Sequence, residues 1–427
     1  MNEVVILTDL SSHDQAYSIC RVIMNQVKML VRGGYEPLML VRKGWPKYSS
    51  QFYEGARFAI LDPGKIGSNV VKVTPESETE ILSLETQLKE SLPETDIVLT
   101  HDLIYQPNMW KYHIAARRVA KNRPGLKWLH WVHSATDMGV TDRVGRFRGE
   151  LQGKFPHSQI VAMHPEEVMR KAAMFGYEMD ETVLIPNPVD FLEDFDPAAK
   201  MVVEKCNLMR ADIIAIYPCR LDRGKQPHII MEIFAELRGM GFNAWAIFAD
   251  FHSNDQKTSK EKSNYRDEIK RNAEKKNAQV FFTSDLAGKA ANGTPYEYLI
   301  PHKAVMDLMT LADFLIHPSR SECDPLIVPE AAWAKCGLLL NWDLPLFRQY
   351  QGRALFGRFS SGIDVMSGMP GETKTRHSDW KAHMHQLASC IAYQMINNPI
   401  LALHSEMRKS RSLEGAWPAL EAAIEGC

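Results

Sequence analysis

Short apolar runs alternate with amphipathic stretches along most of this chain, and the two kinds of stretch keep different periods. "VVILTDL" (Val4 to Leu10) reads as a strand, and from about Ala16 to Arg32 the apolar residues return at helical spacing until Gly33 and Gly34 stop them. "PLMLVRKG" is the next strand. The alternation continues through "TDIVLTHD" (Thr95 to Asp102), helical "YHIAARRVAK", "KWLHWVHS" (Lys127 to Ser134), "SQIVAMH" and "ETVLIPNPVD". Strands and helices in turn predict a parallel, doubly wound sheet.

A second series of the same kind begins after Phe195. It runs through strand "DIIAIYPCRL", helix "PHIIMEIFAELRGMG", strands "NAWAIFAD" and "AQVFFTSD", helix "HKAVMDLMTLA", and strands "DFLIHPS" and "GLLLNW". The expected class is therefore α/β with two Rossmann-like domains. At 427 residues, two cores of about 200 residues each are the default. The expected divisions are 1–195, 196–398 and a C-terminal helix, 399–427, that packs back across the cleft between the two domains. Leu192 to Pro197, acidic and proline-containing, is the expected join, and the charged run Asn254 to Lys276 an exposed loop leading into a solvated helix.

Composition excludes several classes. Apolar and charged fractions of 45% and 24% are ordinary for a globular protein, and no apolar run approaches the roughly 18 residues that span a bilayer. Glu3 and Asp9 sit where a signal peptide would be basic and then apolar, so a cytoplasmic protein is expected. The seven cysteines are scattered without a CxxC pair, which argues against a disulfide framework and a zinc cluster; Cys323 is read as a packing residue rather than a nucleophile. Net charge is only −2, but between Lys111 and Lys154 ten basic residues stand against three acids (Asp137, Asp142, Glu150), a local excess of +7. Such an excess can face an anionic partner or be a pair of solvated helix faces.

The chemistry concentrates in "HPSRSECDPLIVPEAAWAKCG", His317 to Gly337. The strand ends near Pro318 and prolines 325 and 329 fix where a helix can begin. Glu330 then falls in its first turn, Glu322 stays in the loop, and Gly337 is expected to cap the helix. Open parallel sheets bind ligands at the carboxyl ends of their strands, where helix-start N–H groups attract phosphate. Carboxylates there suit sugar hydroxyls rather than phosphate. "YPCRLDRGKQPH" adds Arg220 and Lys225 at another strand's carboxyl end, a guanidinium and an ammonium able to clamp a diphosphate.

These residues carry a resemblance. "PSRSECDPLIVPEAAWAKCG" is similar to the E-x7-E signature of retaining glycosyltransferases of family 4, which have the GT-B fold of two Rossmann-like domains facing a cleft. "CRLDRGK" resembles that family's Arg and Lys loop, "YLIPHKAVMDLMTLADFLIHPS" the segment before its signature, and "VLIPNPVDFLEDF" its interdomain turn. The resemblance spans roughly residues 130 to 345. It implies that Arg220 and Lys225 hold the diphosphate of a nucleotide-sugar donor, a UDP-sugar such as UDP-glucose being the expected one. Glu330 would bind the ribose and Glu322 the transferred sugar. Cys323, Asp324, Pro325 and Leu326 would form a loop offering backbone N–H groups. His133 in "LHWVHSATD" would be the acceptor-side histidine, with His130 its near neighbour.

Three departures accompany the resemblance. "DLSSHDQAYS" replaces the family's Gly-Gly loop after the first strand, Cys-Asp-Pro follows Glu322 in place of Gly-Phe-Gly, and Pro188 replaces a glycine at the interdomain turn. "DFD" (Asp194, Asp196) has the letters of a metal-bridging pair but falls in the expected linker, so no metal is expected to be required. Neither GxGxxG nor GxxxxGK[ST] occurs, which leaves redox and P-loop chemistry unsupported. The expected activity is retaining glycosyl transfer to an acceptor hydroxyl. The +7 stretch fits an anionic acceptor such as a hydroxymethylated base in DNA, with lipid, lipopolysaccharide or oligosaccharide acceptors as the alternative. An epimerase or a non-catalytic nucleotide-sugar-binding protein are the alternatives.

Overall fold

A computed structural model describes residues 3–64, 71–92, 97–134, 139–251, 256–286, 290–291, 294–295, 300–359 and 380–426. Thr95, Asp137, Asn254 and Cys427, singled out above, lie outside the described residues. The chain divides into two compact units, Met1–Asp190 with Ser410–Cys427, and Phe191–Lys409.

The first unit is built on strands β1 (Glu3–Leu7), β2 (Glu36–Arg42), β3 (Arg57–Leu61), β4 (Ile97–His101), β5 (Lys127–Trp131), β6 (Ser158–Ala162) and β7 (Thr182–Leu184). They form one parallel sheet in the order β3-β2-β1-β4-β5-β6-β7. β1 is apolar on both faces because both are covered: Val4 and Ile6 enter one core, Val5 and Leu7 the other. The helix Ser18–Arg32 buries Ile19, Ile23, Val27 and Leu30, a stripe at intervals of three and four residues. The last helix, Leu413–Glu425, lays Trp417 over Gly33, where a β-carbon would lie 2.2 Å from the indole ring. The 399–427 tail is thus two helices: Pro399–Arg411, most of it in the second unit, and Leu413–Glu425 in the first.

The second unit carries β8 (Ile213–Arg220), β9 (Ala244–Phe251), β10 (Gln279–Phe282), the small antiparallel pair β11 (Ala290–Ala291) and β12 (Thr294–Pro295), then β13 (Phe314–His317), β14 (Gly337–Asn341) and β15 (Leu355–Gly357). Its main sheet is parallel, in the order β10-β9-β8-β13-β14-β15. At the amino ends of β8 and β13, buried Arg408 donates to Asp313 at 3.1 Å and to the carbonyls of Leu311 and Ala211, while Asp313 also accepts from the Ile214 N–H at 2.8 Å. These bonds tie together the amino ends of the two central strands.

Three local expectations change. Gly337 opens β14 rather than capping the preceding helix; Lys335 takes the left-handed φ of 64°, and Gly337 is small because a β-carbon there would stand 2.7 Å from the Phe314 ring. Gln256–Lys276 is a helix with a buried stripe, Tyr265, Ile269 and Ala273, so it is half packed rather than simply solvated. Asp196 is no free linker carboxylate, since it accepts the Ala198 N–H as the N-cap of the helix Pro197–Cys206. Among the described residues no group of side chains has metal-ligand geometry, and no helix is long and apolar enough to cross a membrane.

Candidate functional site

In the second unit the chain starts at the middle of its sheet. From β8 it steps outward to β9 and β10, then returns to β13 on the other side and moves outward again. The reversal lies between β8 and β13, and ligands of open α/β sheets bind outside the carboxyl ends of strands at such a switch point. β8 ends there in Cys219 and Arg220, β13 in His317.

The loops that follow these two strands are stitched together. After β8 the turn Arg223–Lys225 leads to Gln226, which is buried and left-handed at φ 54°. Its amide donates to the Pro318 carbonyl at 2.7 Å and accepts from Arg320 Nε at 2.8 Å, while the Arg320 N–H donates to the Gly224 carbonyl at 2.9 Å. Asn341 holds the Ser319 carbonyl from the next strand at 2.9 Å. This lattice sets Lys225 Nζ 2.5 Å from Glu322 Oε1. His317, buried between Tyr217 and Phe347, stands 3.5 Å from the same oxygen. Burial, seconded by the Lys225 cation and opposed by Glu322, holds the His317 imidazole down at about 4.

A cavity of about 650 Å³ opens over these groups. Arg220, Lys225, Glu322, Pro325, Leu326 and Glu330 all line it, as do Asp250, Ile300, His302 and His317. Arg220 is 60% exposed and 3.7 Å from Asp222, leaving its guanidinium accessible to a ligand. Glu330 sits in the first turn of the seven-residue helix Ile327–Trp333, 3.1 Å from His302 Nε2. The cavity therefore presents a cation pair, Arg220 and Lys225, with three carboxylate residues, Asp250, Glu322 and Glu330, a combination that suits a diphosphate joined to hydroxyl-bearing rings.

Not every expected member of the site joins it. Cys323 and Asp324 are exposed on the loop and stand outside the cavity wall. Pro325 reaches the wall but has no N–H to offer, so the loop has one donor fewer than expected. Cys219, at the cavity, is a buried thiol pushed well up by burial and is no nucleophile. His317 and His302 were not singled out from the sequence; a histidine closing a strand at the carboxyl edge was the available signal for the first.

His133 belongs to the first unit, just past β5. Its Nε2 lies 2.9 Å from His101 Nδ1, and its N–H donates to Asp102 at 3.1 Å. Burial lowers its basicity, with Asp102 opposing. His130 is distinct from it: fully buried, 2.7 Å from Thr100 Oγ1 and packed on Phe155, it is a core residue.

Part of the basic stretch from Lys111 to Lys154 is engaged within the fold, while Lys121, Arg143, Arg146 and Arg148 are exposed. Lys111 meets Glu80 at 2.5 Å, and Arg118 is shared between Glu78 at 2.8 Å and Glu150 at 2.7 Å. Lys154 pairs with Glu181, and Arg123 donates to the Leu92 carbonyl. Buried Arg117 donates to the carbonyls of Gln152, Gly153 and Lys154. Glu78, Glu80 and Glu181 lie outside the sequence window, and the fold brings them to it.

No protein-family model and no curated protein matches this sequence. Solved structures do. HepE of Anabaena in complex with UDP and glucose matches at 12% identity and TM-score 0.37 over 100% of both chains. Sucrose-phosphate synthase of Thermosynechococcus elongatus matches at 13% and 0.36, over 100% of this chain and 99% of that one. A glycosyltransferase of Rickettsia africae matches at 13% and 0.37, over 100% and 98%. At these TM-scores the likeness assigns neither a family nor a chemistry to the chain.

Proposed function

We propose that the second unit binds a nucleoside diphosphate sugar, and that the protein transfers the glycosyl group to an acceptor hydroxyl with retention of configuration. One observation carries this: Arg220 and Lys225, at and after the end of β8, and Glu322 and Glu330, in the loop and helix after β13, line a single cavity at the switch point of a parallel sheet. Breaking the bond between sugar and diphosphate leaves negative charge on phosphate while positive charge develops on the sugar ring. Arg220 and Lys225 supply fixed positive charge for the first. Glu322, held 2.5 Å from Lys225, supplies a carboxylate for the second and for the sugar's hydroxyls. Glu330, in the same wall, would accept from the ribose hydroxyls, and apolar Ile300 and Val305 would receive the base.

UDP-glucose is the first donor to test. Arg220→Ala is expected to lower donor turnover on the order of a hundredfold through lost leaving-group stabilisation. Glu330→Ala is expected chiefly to weaken UDP binding, by about tenfold or more. Steady-state kinetics and calorimetry measure the two effects, and wild-type turnover in both variants would dismiss the assignment.

A further inference from the structure

The first unit has its own switch point, between β1 and β4, and a pocket of about 470 Å³ lies there. The loop after β1 forms one wall and the segment after β4 the other. We infer that this pocket binds a polyhydroxylated molecule that carries no phosphate or carboxylate; resting on the glycosyl-transfer reading above, that molecule is the acceptor. The proposal names the acceptor's class: a neutral sugar or polyol, in place of the anionic acceptor that the local charge count suggested.

Charge is the first argument. Among the described residues, fourteen line the pocket; none of them is lysine or arginine, whereas Asp9, Asp14 and Asp102 are all in the lining. His101, in the same wall, supplies no cation: its two ring nitrogens are engaged by His133 and by Gln26 Oε1, each at 2.9 Å, and burial keeps it neutral. Arg42 acts on Asp9 from outside the lining. A phosphate or carboxylate entering here would meet like charge and no clamp.

Hydrogen bonding is the second argument. Asp9 accepts from Asn108 at 2.6 Å, and Asp14 accepts the Ala16 N–H at 2.8 Å. Asp102, held at the left-handed φ of 59°, accepts from the Tyr105 hydroxyl and the His133 N–H, so its orientation is fixed. Around these anchored carboxylates stand the Ser11, Ser12 and Gln106 side chains and Tyr17, which is 45% exposed. Carboxylates, hydroxyls and an amide that both accept and donate match a ring of hydroxyl groups. The volume is that of a small-molecule site rather than a groove for a duplex.

The test is calorimetric and uses the full chain with UDP at saturating concentration, so that the second unit's cavity is occupied. Glucose, mannose and glycerol are titrated beside glucose 6-phosphate, mannose 6-phosphate and glycerol 3-phosphate. At least one neutral compound is expected to bind at least tenfold more tightly than its phosphate ester. Asp14→Lys, whose fold is checked by melting temperature, is expected to shrink that preference fivefold or more. The inference is overturned if the phosphate esters bind as well as the neutral compounds, if no neutral compound binds a chain that binds UDP, or if Asp14→Lys leaves the preference unchanged. Loss of UDP binding with the sugar preference intact would instead sink the donor assignment and leave this pocket standing.

Discussion

Lys225 does two things to its neighbours: it neutralises Glu322 at 2.5 Å, and it adds to the burial that keeps a proton off His317. Removing it separates the two effects. In Lys225→Ala the cation that lowers His317 is gone, while Glu322, which raises it, remains 3.5 Å away. His317 is then expected to titrate above its present value of about 4, by half a unit or more, in an NMR titration of the imidazole. An unchanged midpoint would mean that burial alone sets it. Arg220, Lys225, Glu322 and Glu330 were legible in the sequence because each follows an apolar run that ends at a predictable place. His317 was not, because its role depends on two loops folding over it, and those loops are joined by Gln226 and Arg320 across 94 residues of sequence.

Strands and helices were legible in proportion to their burial. The inner strands read as near-continuous apolar runs, which only a sheet covered on both faces requires. β3 and β15, both edge strands, were not read from the sequence, and Ile60 in β3 is 51% exposed. Part of the charge counted in a sequence window is offset from outside it, since Glu80, Glu78 and Glu181, which pair with Lys111, Arg118 and Lys154, arrive from other elements. Gly337 was seen as punctuation for a helix, while its work is to let the Phe314 ring lie against β14. Gly337→Ala would force that ring or the strand to move, and a loss of about 1–3 kcal/mol is expected in denaturant unfolding. A loss within experimental error would show that the ring can turn aside at no cost.

For the whole molecule, acid should be the destabilising direction. Burial is the largest cause lowering His130 to about 3 and His228 and His317 to about 4. Below an unfolded value near 6.5, the unfolded chain takes up protons that these folded imidazoles refuse. Their stabilising contribution is complete above that value and is lost as pH falls from about 6.5 toward 4, by on the order of 1–2 kcal/mol each at pH 5. The melting temperature is expected to be several degrees lower at pH 5 than at pH 7.5, and equal values would contradict the buried, neutral assignment.

The chain leaves the first unit after Asp190 and returns to it at Ser410, and the two crossing segments are paired there, Val189 N–H to the Arg411 carbonyl at 2.7 Å and Val189 bridged to Ser412. The second unit is thus an insertion whose two ends leave from one spot. On the ribosome, the order of emergence and the order of completion are then inverted. The first unit begins to appear first, yet the face formed by Met29, Gly33 and Tyr35 waits uncovered for Trp417 until the inserted unit has wholly emerged. The inserted unit, continuous in sequence, has all of its parts before its host does.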